Sequence, residues 1–250
     1  MTGIQTTPDP ASPDSASPDP ASADEAAPAP RRLGEEVLLD YAAGALDEAT
    51  ALLVAAHLTL CPRARAAVSA AEAVGGLMLA GEAPVPLREG ALDRLFARLE
   101  GTADAVEVAP VPTDDEIAGL PAPVRRRIAT HGGRWSFVAP GVRDMDLGFD
   151  APRGAGASRP GAVKLYRIEP GRGVPSHTHR GSEVTLVLAG AFADGHDRYG
   201  PGDIAVATPR VTHKPVAEPG AVCYALAITD APLQLTGALG LVQRALGGAD

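Results

Sequence analysis

Apolar positions change their period midway along this 250-residue chain. From Arg31 to about Gly101 they recur at three- and four-residue steps, the spacing that builds one face of a helix. Leu33, Val37, Leu38 and Tyr41 form the first such set, and Gly44 supplies its stop. Asp47 can cap a second helix through Ala49, Leu52, Leu53, Ala56, His57 and Leu60, which Pro62 interrupts or restarts. The Ala-rich stretch Arg63 to Leu79 predicts a third, weakened towards its end by Gly75-Gly76, and Leu92, Leu95, Phe96 and Leu99 predict a fourth. Four short helices at this spacing make a small bundle or an open helical array.

Beyond residue 130 the period shortens. Alternating or continuous runs at Trp135 to Val138, Ala162 to Ile168, Val184 to Leu188, Ile204 to Ala207 and Val222 to Ile228 are separated by Gly- and Pro-rich turns. Many short strands so spaced predict a β-sandwich or small barrel. The fold class expected is therefore α+β, a helical unit at 31–101 followed by an all-β unit at 131–235. Residues 1–30 repeat a Pro-Asp-Pro-Ala-Ser theme with almost no apolar side chains, which predicts a disordered tail. Residues 102–130, rich in Asp, Pro and Val without sustained period, read as a linker. The segment 236–250 is expected to be a tail with one short helix at Leu239 to Leu246.

Charge narrows the function classes. The formal net charge of −9 lacks the clustered Lys and Arg that phosphate binding needs, so direct nucleic-acid contact is not expected. Two cysteines, Cys61 and Cys223, lie in segments of different character and make no disulfide framework. No apolar run approaches the roughly 20 residues of a membrane span, and the N-terminus lacks the basic and apolar regions of a signal peptide. A cytoplasmic protein without membrane contact is the expectation.

The chemistry concentrates at Gly171 to Gly190. His177 and His179 are one residue apart and project to the same face of a strand, while Glu183 and the later His213 can complete a compact ligand set. Three imidazoles and a carboxylate suit several divalent metals. The spacing Gly171, His177, His179, Glu183, Gly190 resembles the first motif of the cupin superfamily at every step. The second cupin motif is weaker: Gly202, Pro209 and His213 are recognisable, but Val211 or Thr212 stands where Gly is expected and no Asn follows. The resemblance implies a jelly-roll barrel holding one divalent metal, zinc ahead of manganese, iron or nickel, on His177, His179, Glu183 and His213.

The helical half carries a second resemblance. Leu38 to Leu46, Ala56 to Pro62 and Ala73 to Gly76 resemble the anti-sigma domain of the ChrR family, whose members join a zinc-binding helical domain to a C-terminal cupin. That implies sequestration of an extracytoplasmic-function sigma factor and its release under oxidative stress such as singlet oxygen, with the cupin as sensor. The family's helical zinc uses an early His and His-x-x-x-Cys-x-x-Cys. Here the last position is Ala64 and the early one falls near Arg32 or Leu33, so His57 and Cys61 alone survive as an incomplete site. They are expected to be packing residues. The rival expectation is a metal-dependent cupin enzyme, a dioxygenase or isomerase, or a cupin that binds a small ligand without chemistry.

Overall fold

The computed structural model describes residues 32–102, 115–149, 161–231 and 233–236. The tail expected at 1–30, residues 103–114 of the expected linker and the helix expected at 239–246 lie outside the described residues.

Helices α1 (Glu35–Ala42), α2 (Glu48–Leu60), α3 (Pro62–Ala80) and α4 (Ala91–Thr102) follow the predicted order. Asp47 caps α2, its carboxylate accepting the N–H groups of Ala49 and Thr50 at 3.0 Å each, a contact that contributes about 1 kcal/mol. Pro62 occupies the first turn of α3, where its missing N–H costs nothing, and α2 and α3 meet at 119°. Gly75 and Gly76 do not end α3. The surrounding Ala, Leu and Met residues outweigh the roughly 1 kcal/mol that each glycine costs, and the helix runs on to Ala80.

Leu38, Val54, Cys61, Ala64 and Val68 pack α1, α2 and α3 into one small core. The fourth helix does not join it. Leu92, Leu95, Phe96 and Leu99 of α4 are half or more exposed, as are Leu77, Met78 and Leu79 near the end of α3. Among the described residues no single helix is long and apolar enough to cross a membrane.

The stretch read as a linker carries a further helix, α5 (Ala122–His131). Its apolar signal is one i, i+4 pair, Val124 and Ile128, too short to stand out by periodicity alone. Both side chains are buried against the sheet that follows.

That sheet has six antiparallel strands in the order β1 (Ser136–Ala139), β2 (Val142–Asp146), β3 (Ala162–Ile168), β10 (Cys223–Thr229), β5 (Glu183–Ala189) and β8 (Ile204–Ala207). A second layer combines β4 (His177–His179) with β11 (Leu233–Leu235), and β6 (Phe192–Ala193) with β7 (Arg198–Tyr199) and β9 (Val216–Ala217). Isolated bridges His177↔His213 and Gly173↔Val216 connect further segments to this layer. The result is the jelly-roll arrangement expected of the β unit.

Period-two alternation sorts each strand of the large sheet between two cores. Val163, Leu165, Leu186, Leu188, Ile204 and Leu226 face outward, where Ala49, Leu53 and Ala56 of α2 and Val124 and Ile128 of α5 cover them. Tyr166, Ile168, Val187, Ala205, Cys223 and Ala225 face inward and pack with Val174, Phe192, Tyr199 and Ala217. Helix α2 is thus buried on two sides, through Val54 against its helical neighbours and through Leu53 against the sheet.

Leu53 is 1% exposed in the core that helices and sheet share. Leu53→Ala is expected to lower unfolding free energy by about 2–5 kcal/mol and to shift the sheet's denaturation midpoint along with that of the helices. Denaturant unfolding followed by far-UV signal and by Trp135 fluorescence checks this. A Trp135 transition that stays in place would show that the two halves do not share a core.

Candidate metal centre

The four ligand candidates reach one point from three pieces of chain. Strand β4 is three residues long, so His177 and His179 leave the same face while Thr178 turns away to donate its hydroxyl to the carbonyl of Val211. Glu183 opens β5, where alternation sends it inward with Thr185 and Val187. His213 is tied to β4 by a reciprocal backbone pair: its N–H donates to the His177 carbonyl and its carbonyl accepts the His177 N–H, both at 3.1 Å. Gly171 and Gly190 bracket the segment with φ of 71° and 66°, the left-handed conformation that favours glycine. A Cβ at Gly190 would lie 2.4 Å from the Val222 carbonyl oxygen, so the turn leaving β5 also needs its smallness.

All four side chains are buried, and one ligand atom from each lies within 4.8 Å of every other. The Nε2 atoms of His177 and His213 are 2.9 Å apart and those of His179 and His213 3.1 Å apart. Glu183 Oε2 sits 3.6 Å from His179 Nε2 and 3.8 Å from His213 Nε2. Ligands bonded at about 2.1 Å around one ion stand roughly 3.0–3.4 Å from each other, so these separations fit a shared metal. His177 Nδ1 is 2.8 Å from the Pro175 carbonyl, which accepts its proton and leaves Nε2 as the free lone pair. His177, His179, Glu183 and His213 therefore can hold one metal ion in the cupin. Among the described residues they form the single group of three or more such ligands.

Burial pushes all three imidazoles below the ordinary histidine value, His179 to about 3 and His213 to about 4, with neighbouring imidazoles adding to the effect on these two. Neutral imidazole is the ligating form. Burial also pushes the Glu183 carboxyl up to about 7, against the opposing hydrogen bond of Thr185. Burial first, and the Glu183 charge after it, hold the Tyr166 phenol above its usual range.

Beside the cluster lies a cavity of about 40 Å³, walled by Ile168, Val174, Phe192 and Val211. Such a space accommodates two or three waters next to the ligand atoms. A metal held here would polarise water or a small oxygen species in its open positions. Asp194, whose carboxylate is 3.9 Å from His213 Nδ1, was not picked out from the sequence, where it reads as part of the turn before His196. Only the closing of β6 against β9 brings it to the site.

The other candidates separate. His196 and His131 are exposed, and Cys223 is fully buried in the barrel core. Arg167 turns to Glu116 and Glu169, and Tyr224 packs beside Trp135 on the outer face. His57 and Cys61 line a different cavity, on the helical side, with Ala64 and Arg32 where further ligands would be needed. The Arg32 guanidinium donates to Cys61 Sγ at 2.7 Å. Two ligands and a fixed positive charge do not fit a structural zinc.

In metal-free protein the three imidazoles stay neutral at pH values where their unfolded counterparts, near 6.5, bind protons. Their stabilisation is complete above that value and is lost as pH falls. Glu183 opposes them, because between 4.5 and about 7 the folded form holds a proton that the unfolded chain has released. Three groups outweigh one. The metal-free chain is expected to melt about 5–10 °C lower at pH 5 than at pH 7, read by differential scanning fluorimetry. A flat or rising melting temperature would contradict this balance.

Comparison with known proteins agrees with both halves. The family model described as ChrR cupin-like domain matches residues 125–231. The anti-sigma-E factor ChrR of Cereibacter sphaeroides is 42% identical over 206 residues, covering 81% of this chain and 90% of that protein. The crystal structure of Rhodobacter sphaeroides SigE in complex with the anti-sigma ChrR is matched with a TM-score of 0.57 at 38% identity, over 80% of this chain and 98% of that one. At 42% identity over most of both sequences, the chain belongs to the ChrR family.

Proposed function

We propose that this chain is an anti-sigma factor. Its helical half binds an extracytoplasmic-function sigma factor in the cytoplasm. The cupin, loaded with one zinc ion on His177, His179, Glu183 and His213, is the sensor that releases this partner under singlet-oxygen-type stress. The observation that carries the reading is the apolar surface left bare by the helices. Leu77, Met78 and Leu79 of α3 are 71–75% exposed and Leu92, Leu95, Phe96 and Leu99 of α4 50–61%. Side chains of this size exposed together mark an interface for a protein partner. The relative solved with SigE supplies the class of that partner.

The water-sized cavity at the ligand cluster supports sensing over turnover of an organic substrate. The net charge of −9 supports a protein partner over direct contact with nucleic acid.

Reconstitution with the sigma factor of the same host tests the reading. Leu95→Asp with Phe96→Asp is expected to weaken binding at least about a hundredfold without lowering the melting temperature, since both positions are exposed. Unchanged affinity in a titration would rule out α4 as the contact. His179→Ala is expected to bind the sigma factor as the parent does yet fail to release it when a photosensitiser generates singlet oxygen. Loss of binding in that variant would contradict a division between helical grip and cupin sensing.

A further inference from the structure

Cys61 stands at the elbow between α2 and α3 with more around its sulfur than packing requires. It caps α3, accepting the Ala64 N–H at 3.5 Å, and it also accepts the Arg32 guanidinium at 2.7 Å. Sulfur is the attacking atom of a cysteine, and these two contacts fix where it stands. A cavity of about 380 Å³ adjoins the sulfur, with exposed Glu35 and Arg63 among its walls. His57 lines the same cavity. It is 0% exposed, and neither ring nitrogen has a hydrogen-bond partner, the Gly202 backbone lying near but outside bonding geometry. A fully buried imidazole with two unanswered nitrogens is a costly feature unless something enters the space beside it.

We propose that Cys61 is a peroxide-reactive thiol, held by Arg32 and reached by small hydroperoxides through the cavity it shares with His57. The sulfur attacks the distal oxygen of the hydroperoxide, an S–O bond forms and the O–O bond breaks. Sulfur is oxidised by two electrons to a sulfenic acid, and the peroxide is reduced to the alcohol or, for hydrogen peroxide, to water. The thiol proton passes to the free nitrogen of His57 and from there to the departing oxygen. Burial, with the charge of Arg32 adding to it, holds His57 below the ordinary histidine value, so it starts neutral and hands the proton on instead of keeping it. Arg32 and Ala64, which break the metal motif, are what leave this sulfur open for chemistry.

Cys223 is an internal control. It is as buried as Cys61, but burial, with Glu218 adding to it, pushes its thiol up to about 12. The full-length, metal-loaded chain is treated with hydrogen peroxide in the presence of dimedone, and the adduct on each cysteine peptide is followed by mass spectrometry. The expected result is labelling of Cys61 and none of Cys223. Arg32→Ala is expected to slow labelling about tenfold, with Arg32→Lys restoring most of the rate, and His57→Gln to slow it by a similar factor. No adduct on Cys61, equal labelling of both cysteines, or a rate in Arg32→Ala equal to that of the parent would overturn the proposal. An unchanged rate in His57→Gln would remove the proton relay from it.

Discussion

A buried carboxylate facing three imidazole lone pairs is an arrangement that water exclusion penalises, and the cupin half is organised around it. Glu183 is buried, while His177, His179 and His213 turn their Nε2 atoms towards one another. A divalent ion held there would offset the repulsion and could take a bond from each. The short strand β4, the inward start of β5 and the backbone pair between His177 and His213 all serve to hold those four atoms together.

The same strand also faces the helices. β5 sends Glu183 inward to the ligand cluster and Leu186 and Leu188 outward into the core that α2 covers. Helix α2 then meets α1 and α3 on its other side through Val54. A change at the cluster and a change in the helical unit are therefore separated by one strand and one helix, each packed on both faces. Interiors this dense pass displacement on instead of absorbing it. The apolar residues of α4 lie outside that chain of contacts, on a surface that needs a second protein to bury it.

Much of this architecture was legible in the residues. Asp47, Pro62 and the 3.6-residue spacing set the helices, because caps and periodicity are local and need no tertiary partner. The ligand set was legible because His-x-His fixes a face of a strand and the flanking glycines fix its turns. What escaped depends on contacts distant in sequence. Helix α5 shows two apolar residues that matter only once the sheet exists to receive them. The exposure of α4 follows from the absence of a fourth face on the α1–α3 core, which an amphipathic pattern cannot reveal. Asp194 reaches His213 only through strand pairing, and Arg32 takes its place beside Cys61 only when the start of the described chain packs against the α2–α3 elbow.

This chain is proposed to hold one metal, in the cupin, with Arg32 and Ala64 standing where a second site in the helical half would need ligands. Elemental analysis of freshly purified full-length protein tests it most directly. One divalent metal per chain is expected, abolished by His179→Ala and untouched by Cys61→Ser. Two metals per chain, or a metal lost with Cys61 and retained without His179, would contradict it.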